Sequence, residues 1–147
     1  MTKDEEKEKI EWWLFLNANP IGVDEGKDDA PTKEELNSLP ENVKQMLLNE
    51  KTSSAIYLIG QENQLTDQQT AEVARTLREI CFGNLNPAEL KKIIEERVNL
   101  TPEIAEKVSF RLTKELISPN YFQISQHYRR KNEKKDLTNQ ENKDGNK

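Results

Sequence analysis

Cysteine and histidine are almost absent from this sequence, which contains one residue of each type, Cys81 and His127. A single cysteine cannot form an internal disulfide. One cysteine and one histidine together cannot supply the four Cys or His ligands of a structural zinc site. A chain without disulfides is typical of proteins that fold in a reducing compartment. The sequence therefore predicts that the protein holds neither a metal nor another cofactor.

Long apolar runs are also missing. The longest one extends from Trp12 to Leu16, five residues, whereas a membrane-spanning helix requires about 20. The first nine residues, MTKDEEKEK, are mostly charged and do not resemble a secretory signal, which combines a basic start with an apolar stretch. We therefore expect a cytoplasmic protein that does not cross a membrane.

Recognisable catalytic constellations are the third absence. The five glycines are dispersed along the chain and form no phosphate-binding loop. Cys81 lies in an apolar helical stripe, which is typical of a core residue, and His127 lies in a charged segment, which is typical of a surface residue. Glu95 and Glu96 are adjacent on a predicted helix and therefore point in different directions. The sequence predicts a protein that is not an enzyme and has no catalytic residues.

Charge is abundant and unevenly distributed. Charged residues make up 33% of the chain and apolar residues also 33%. The net charge of −5 divides into −6 for residues 1–39, −2 for residues 40–119 and +3 for residues 120–147. Broad nucleic-acid binding requires clustered lysine and arginine, and a nearly neutral middle region argues against it. High charge and few apolar residues together indicate a folded middle region with polar ends.

Helix start signals recur through the middle of the chain. The sequences TKEE at residues 32–35 and TDQQ at residues 66–69 have the form of a capping box. The sequences NPAE at residues 86–89 and TPE at residues 101–103 place a capping side chain before a proline at the first helical position. These signals predict that several short helices begin at or just after these positions.

Apolar residues after these signals recur three or four positions apart, the spacing of an amphipathic helix. Gly83 follows one stripe at the position of a C-terminal cap, and Ser118-Pro119 is expected to end the last helix. No alternating strand pattern is present. The stripes contain Val43, Met46, Leu47, Ala55, Ile56, Ile59, Val73, Ala74, Leu77, Ile80, Cys81, Leu90, Ile93, Ile94, Val98, Ala105, Val108, Leu112 and Leu116.

These patterns predict an all-α protein built around a small bundle of about five short helices at residues 39–119. Residues 1–16 are expected to form an acidic N-terminal helix with an aromatic cluster. Residues 17–38 are expected to be a flexible acidic linker that includes a short helix. A C-terminal helix is predicted at residues 120–131, and a disordered polar tail at residues 132–147, where apolar residues are scarce.

The aromatic cluster near the N-terminus is the main candidate for binding another protein. Large aromatic side chains are enriched at the energetic centres of protein interfaces. Ile10, Trp13 and Leu14 share one helical face, and the other apolar residues spread around the helix. The segment can therefore pack on the bundle of its own chain, on a protein partner or on a second copy. The proposed anchors are Trp12, Trp13, Phe15 and Leu16.

A second hypothesis assigns RNA binding to residues 121–135. Aromatic rings can stack on bases, and nearby basic groups can neutralise phosphates. The alternative is a C-terminal helix whose aromatic residues pack on the bundle and whose basic end matches the helix dipole. The candidate RNA contacts are Tyr121, Tyr128, Arg129, Arg130, Lys131, Lys134 and Lys135.

The segments LPENVKQMLLNEKTSSAIYLIGQENQL and FGNLNPAELKKIIEERVNLTPEIAEKV combine a Leu-Pro helix start, an aromatic-glycine turn at Phe82-Gly83 and a proline-capped final helix. In these features residues 39–119 resemble short α-helical proteins of uncharacterised function from small-genome, candidate-phylum bacteria. The resemblance implies a small α-helical domain with variable ends. It implies no particular activity, because the shared features concern the fold.

Overall fold

A computed structural model describes the backbone of residues 33–144 and the side chains of residues 34–133. Within this part of the chain there are helices and no strands, which confirms the predicted all-α class. None of the helices described is long and apolar enough to cross a membrane. The α-helices are α1 Lys33–Asn37, α2 Glu41–Leu48, α3 Glu50–Glu62, α4 Asp67–Cys81, α5 Leu90–Val98, α6 Pro102–Leu112 and α7 Tyr121–Asp144.

Two of the predicted helix starts have the expected capping hydrogen bonds. At the start of α4, the Thr66 hydroxyl accepts a bond from the Gln69 amide at 3.1 Å, and the Gln69 side chain accepts one from the Thr66 amide at 3.0 Å. This is the complete capping box. At the start of α6, the Thr101 hydroxyl accepts a bond from the Ile104 amide at 3.4 Å.

The other two predicted starts differ in outcome. The Asn86 side chain accepts a bond from the Ala88 amide at 3.0 Å, as expected for a cap. However, Pro87–Glu89 forms a 3₁₀ turn, and α5 begins only at Leu90. Short 3₁₀ turns are frequent at helix N-termini. Thr32, the proposed cap before α1, lies outside the described residues.

The predicted cap at Gly83 is confirmed as the end of α4. Gly83 has a φ of 78°, and its amide donates to the Ile80 carbonyl at 3.1 Å. The next amide, of Asn84, donates to the Glu79 carbonyl at 2.9 Å. This pair of bonds is a Schellman motif, which turns the chain sharply away from the helix axis.

The predicted stripes face a single hydrophobic core. Core residues extend beyond the predicted range 39–119, because α1 contributes Leu36 and α7 contributes Ile124, which is fully buried. The two flanking helices therefore belong to the packed domain. The buried apolar residues are Leu36, Leu39, Val43, Leu47, Ile56, Ile59, Val73, Ala74, Leu77, Ile80, Cys81, Phe82, Leu90, Ile94, Val98, Ala105, Val108, Leu112, Leu116, Ile117 and Ile124.

The chain remains helical across Ser118-Pro119, where the sequence predicts a clean end. After α6 it passes through a π turn at Thr113–Ile117 and a 3₁₀ turn at Ser118–Asn120 before α7 begins. These local changes in helical pitch accommodate a proline that lacks an amide hydrogen. The backbone of α7 then runs to Asp144, beyond residue 131, where the sequence predicted a tail.

Candidate functional site

The described residues contain no group of three or more His, Cys, Asp or Glu side chains that could hold a metal ion. Cys81 is fully buried in the core, as the apolar stripe indicated. Burial raises the pKa of the Cys81 thiol far above its ordinary value, because a thiolate would lose its hydration there. The thiol is therefore protonated at neutral pH and is a poor nucleophile.

A groove of the described residues lies between α2, α3 and the end of α6, and we call it the α2–α3 groove. It has a volume of about 890 Å³, in the range typical of ligand-binding sites. Its apolar lining consists of Met46, Leu48, Ala55, Leu58 and Leu116. Leu116 is supplied by the π turn that follows α6, so the irregular helical segment forms one wall of the groove.

The charged side chains that line the groove balance one another. Lys51 and Arg111 are opposed by Glu50 and Glu115. The Arg111 guanidinium donates to the Glu115 carboxylate at 3.0 Å and to the Glu62 carboxylate at 2.6 Å. The second of these ion pairs joins α6 to α3. A lining that combines apolar side chains with balanced charges does not favour a nucleic-acid backbone or a highly charged peptide.

Leu58 is the most unusual of the groove residues because 52% of it is exposed. Its neighbour Tyr57 is exposed to almost the same extent, 51%. Tyr57 lines a separate cavity of about 280 Å³ together with Gly60 and Thr70, and its hydroxyl accepts a hydrogen bond from Gln61 at 2.8 Å. These two adjacent residues therefore belong to different surfaces, which makes them a matched pair for mutagenesis.

The basic segment of α7 is only partly available to a ligand. The Lys131 ammonium donates to the Phe82 carbonyl at 3.2 Å and also to the Asn84 side chain. Lys131 thus binds the carbonyl end of α4, where a positive charge is favourable. Arg129 and Arg130 are exposed. Of the basic residues proposed to contact RNA, Lys131 therefore has a structural role, whereas Arg129 and Arg130 are exposed at the surface.

The aromatic residues of the same segment are divided in a similar way. Tyr121 is 45% exposed and Phe122 is 71% exposed at the start of α7, whereas Tyr128 is half-buried. Tyr128 lies four residues after the buried Ile124, on the helical face that packs against the bundle. The exposed aromatic pair and the exposed arginines are consequently separated by about two helical turns.

His127 lies on the part of α7 that approaches the turn after α4. A Cβ atom added to Gly83 would lie 3.0 Å from the imidazole of His127. Burial and the nearby Lys131 lower the pKa of His127, and Arg130 acts in the same direction, while a hydrogen bond to the Phe82 carbonyl opposes them. The imidazole of His127 is therefore half-buried against the turn after α4, although the sequence predicted an ordinary surface residue.

The predicted partner anchors Trp12, Trp13, Phe15 and Leu16 lie outside the described residues. The backbone positions of Lys134 and Lys135 belong to α7, and their side chains are outside the described range. The sequence reasoning missed the α2–α3 groove. The signal in the sequence is Leu58, an apolar residue that lies off the buried stripe of α3. It did not indicate a groove, because a single apolar residue of this kind is common on protein surfaces.

No family model matches this sequence, and neither a curated protein nor a solved structure is similar to it. The resemblance to short α-helical proteins of candidate-phylum bacteria therefore stays a prediction. The function must be inferred from the side chains and surfaces of the chain itself.

Proposed function

We propose that the protein is a non-enzymatic interaction module of the cytoplasm that binds another protein through the α2–α3 groove and the aromatic N-terminal segment. The groove is the observation that carries this proposal. Five apolar side chains, among them the exposed Leu58, and a lining without net charge form the kind of surface that receives the apolar face of a short helix.

The composition of the aromatic segment supports an interaction role. Trp12 and Trp13 are adjacent in the longest apolar run of the sequence, Trp12 to Leu16. Their large rigid side chains are suited to serve as anchors at an interface.

The test compares the wild-type chain with a Trp12→Ala/Trp13→Ala variant. Both are used to capture proteins from a lysate, and a protein retained by the wild type alone is purified for binding measurements by calorimetry. Because truncation of an aromatic anchor costs about 2 kcal/mol or more, we expect the variant to bind this partner at least 30-fold more weakly. Circular dichroism should show the same helix content in both proteins.

A Phe110→Ala variant is the matched control for this experiment. Phe110 is 63% exposed but does not line the α2–α3 groove, so its loss should leave the affinity within about twofold. Capture of the same proteins by the wild type and the double tryptophan variant, with equal affinity for each, would contradict the proposal.

RNA binding through α7 is the alternative function. It is favoured by the exposure of Phe122 and of the two arginines on the same helix. It is weakened by the use of Lys131 to cap α4. A titration of generic single-stranded RNA at low salt tests it, because phosphate contacts by Arg129 and Arg130 should give saturable binding that weakens steeply as salt rises.

A further inference from the structure

The described residues leave apolar atoms of the α2–α3 groove exposed. In its lining, Met46, Leu48 and Ala55 are half-buried and Leu58 is 52% exposed. Covering these atoms would remove apolar area from water at about 25 cal/mol per Å². The lining has no net charge and therefore imposes no strong charge requirement on the molecule that covers them.

A segment with suitable chemistry is present in the same chain. Residues 10–16, IEWWLFL, contain Ile10, Trp13 and Leu14 with the i, i+3 and i+4 spacing that would place them on one face of a helix. These are the anchor positions with which an amphipathic helix enters an apolar groove. The segment has one acidic residue and no basic residue, which is compatible with a lining that has no net charge.

The connection between the segment and the bundle is long enough for the two to meet. Residues 17–32 form a 16-residue connection, and a chain of this length can span at most about 50 Å. The short helix α1 and the three residues after it place the start of α2, which lines the groove, within about 25 Å of residue 33. A tether of this kind gives an effective concentration in the millimolar range.

We infer that residues 10–16 bind in the α2–α3 groove of their own chain when no partner is present. This inference rests on the proposed function, because it makes the groove a site for which a partner helix competes with the tethered segment. The tether favours the segment of the same chain over that of a second copy at micromolar protein concentrations. Release of the segment would free both the groove and the tryptophans at once.

Tryptophan fluorescence of the full chain tests this inference, because both tryptophans lie in the segment. We expect blue-shifted emission that is protected from acrylamide and does not change on 100-fold dilution. Leu58→Asp places a charge in the groove at an exposed position, so the emission should shift to the red and the quenching constant should rise severalfold. The helical circular dichroism should be unchanged.

Tyr57→Asp is the matched control, since Tyr57 has the same exposure as Leu58 and lies outside the groove. Its emission should remain like that of the wild type. A second measurement uses the Trp12→Ala/Trp13→Ala chain, which has no tryptophan, and a synthetic peptide of residues 8–20. The peptide emission should shift to the blue in a saturable manner, and addition of Leu58→Asp to the chain should abolish the shift.

Three results would overturn the inference. Red, easily quenched emission of the wild type would show that the segment is free, and equal emission of the Leu58 and Tyr57 variants would show that it does not use this groove. Protection that disappears on dilution would identify a second copy as the occupant. None of these results decides whether a partner is captured, so the proposed function stands or fails separately in the capture experiment.

Discussion

At the residue scale, left-handed backbone conformations determine where several helices end. Gly83, Gln64 and Asn99 have φ values of 78°, 57° and 59°, and each follows a helix. Glycine and asparagine adopt this region readily, whereas other residues do so at an energetic cost. Gly83 suits its position for a second reason, because its missing side chain leaves room for the imidazole of His127.

Replacement of Gly83 by alanine should lower the free energy of unfolding by about 1–2 kcal/mol, the typical penalty for an L-residue in a left-handed conformation. The close approach of its Cβ atom to His127 at 3.0 Å adds to the loss. Urea unfolding followed by circular dichroism measures the change. A stability equal to that of the wild type would show that the turn after α4 differs from the one described.

The opposite substitution at Gln64 serves as the control. Gln64 is exposed and ends α3 with the same pair of backbone bonds, from the Gln64 amide to Gln61 at 3.2 Å and from the Leu65 amide to Gly60 at 2.8 Å. Gln64→Gly should therefore raise the free energy of unfolding, by up to about 1 kcal/mol. The two variants should change stability in opposite directions.

At the element scale, the contact between α3 and α4 depends on Gly60. A Cβ atom at this position would overlap the Thr70 hydroxyl and would lie 3.0 Å from the Thr70 methyl carbon and 3.2 Å from the Thr70 Cβ. Thr70 is held in place because its hydroxyl donates to the Thr66 carbonyl at 3.0 Å. The two helices therefore approach more closely than side chains on both would permit. A single glycine inside a helical pattern was the sequence signal for this contact.

Gly60→Ala should destabilise the protein by about 1–3 kcal/mol, as overpacking of a close helix contact does. The better helix propensity of alanine offsets part of this effect. Thr70→Ala removes the atoms nearest to the new methyl group, so the double variant should be more stable than the sum of the single changes predicts. A double-mutant cycle by urea unfolding measures this coupling, and additive changes would contradict the close contact.

Ion pairs connect elements that are distant in sequence. The Glu72 carboxylate on α4 accepts bonds from Arg75 on the same helix and from Arg97 on α5, the latter at 3.1 and 3.3 Å. Arg111 joins α6 to α3 in a similar way through Glu62. Pairs near the surface stabilise a fold only slightly. One of these pairs includes Arg111, which also lines the α2–α3 groove.

At the scale of the whole molecule, the last helix closes the domain by packing against the turn that follows α4. Ile124 enters the core, and Lys131 and His127 both bond to the Phe82 carbonyl. His127 is the only histidine of the chain. Its ionisation therefore reports on the attachment of α7 to the rest of the bundle.

The stability of the protein should decrease when His127 becomes protonated. The folded-state pKa is lowered from 6.5 by burial, by Lys131 and by Arg130. The unfolded chain therefore binds this proton more readily than the folded chain. The contribution of neutral His127 to the free energy of unfolding is therefore fully present above pH 6.5. This contribution is lost as the pH falls through the lower folded-state pKa. Carboxyl groups titrate mainly below about pH 5.

A His127→Gln variant isolates this effect because the carboxyl groups are common to both proteins. The free energies of unfolding of the wild type and the variant are compared by urea titration between about pH 5 and pH 8. Relative to the variant, the wild type should lose stability as the pH decreases below 6.5. A constant difference between the two proteins over this range would exclude the predicted coupling.

The sequence by itself determined the class of the fold, the buried faces of the helices and several of the helix caps. Helix spacing identified the buried faces, and Thr66, Thr101 and Gly83 were predicted as caps because capping depends on residues within one turn of the chain. The sequence also singled out the aromatic segment at residues 12–16, and its role stays a prediction because it lies outside the described residues.

Only the tertiary structure decided which surfaces remain open and which charges are already used. The α2–α3 groove is lined by residues more than 60 positions apart, such as Met46 and Leu116, and Lys131 meets Phe82 across 49 positions. Neither contact has a local signature. Helix periodicity shows which side of a helix is apolar, whereas the packing of several helices determines whether that side becomes core or groove.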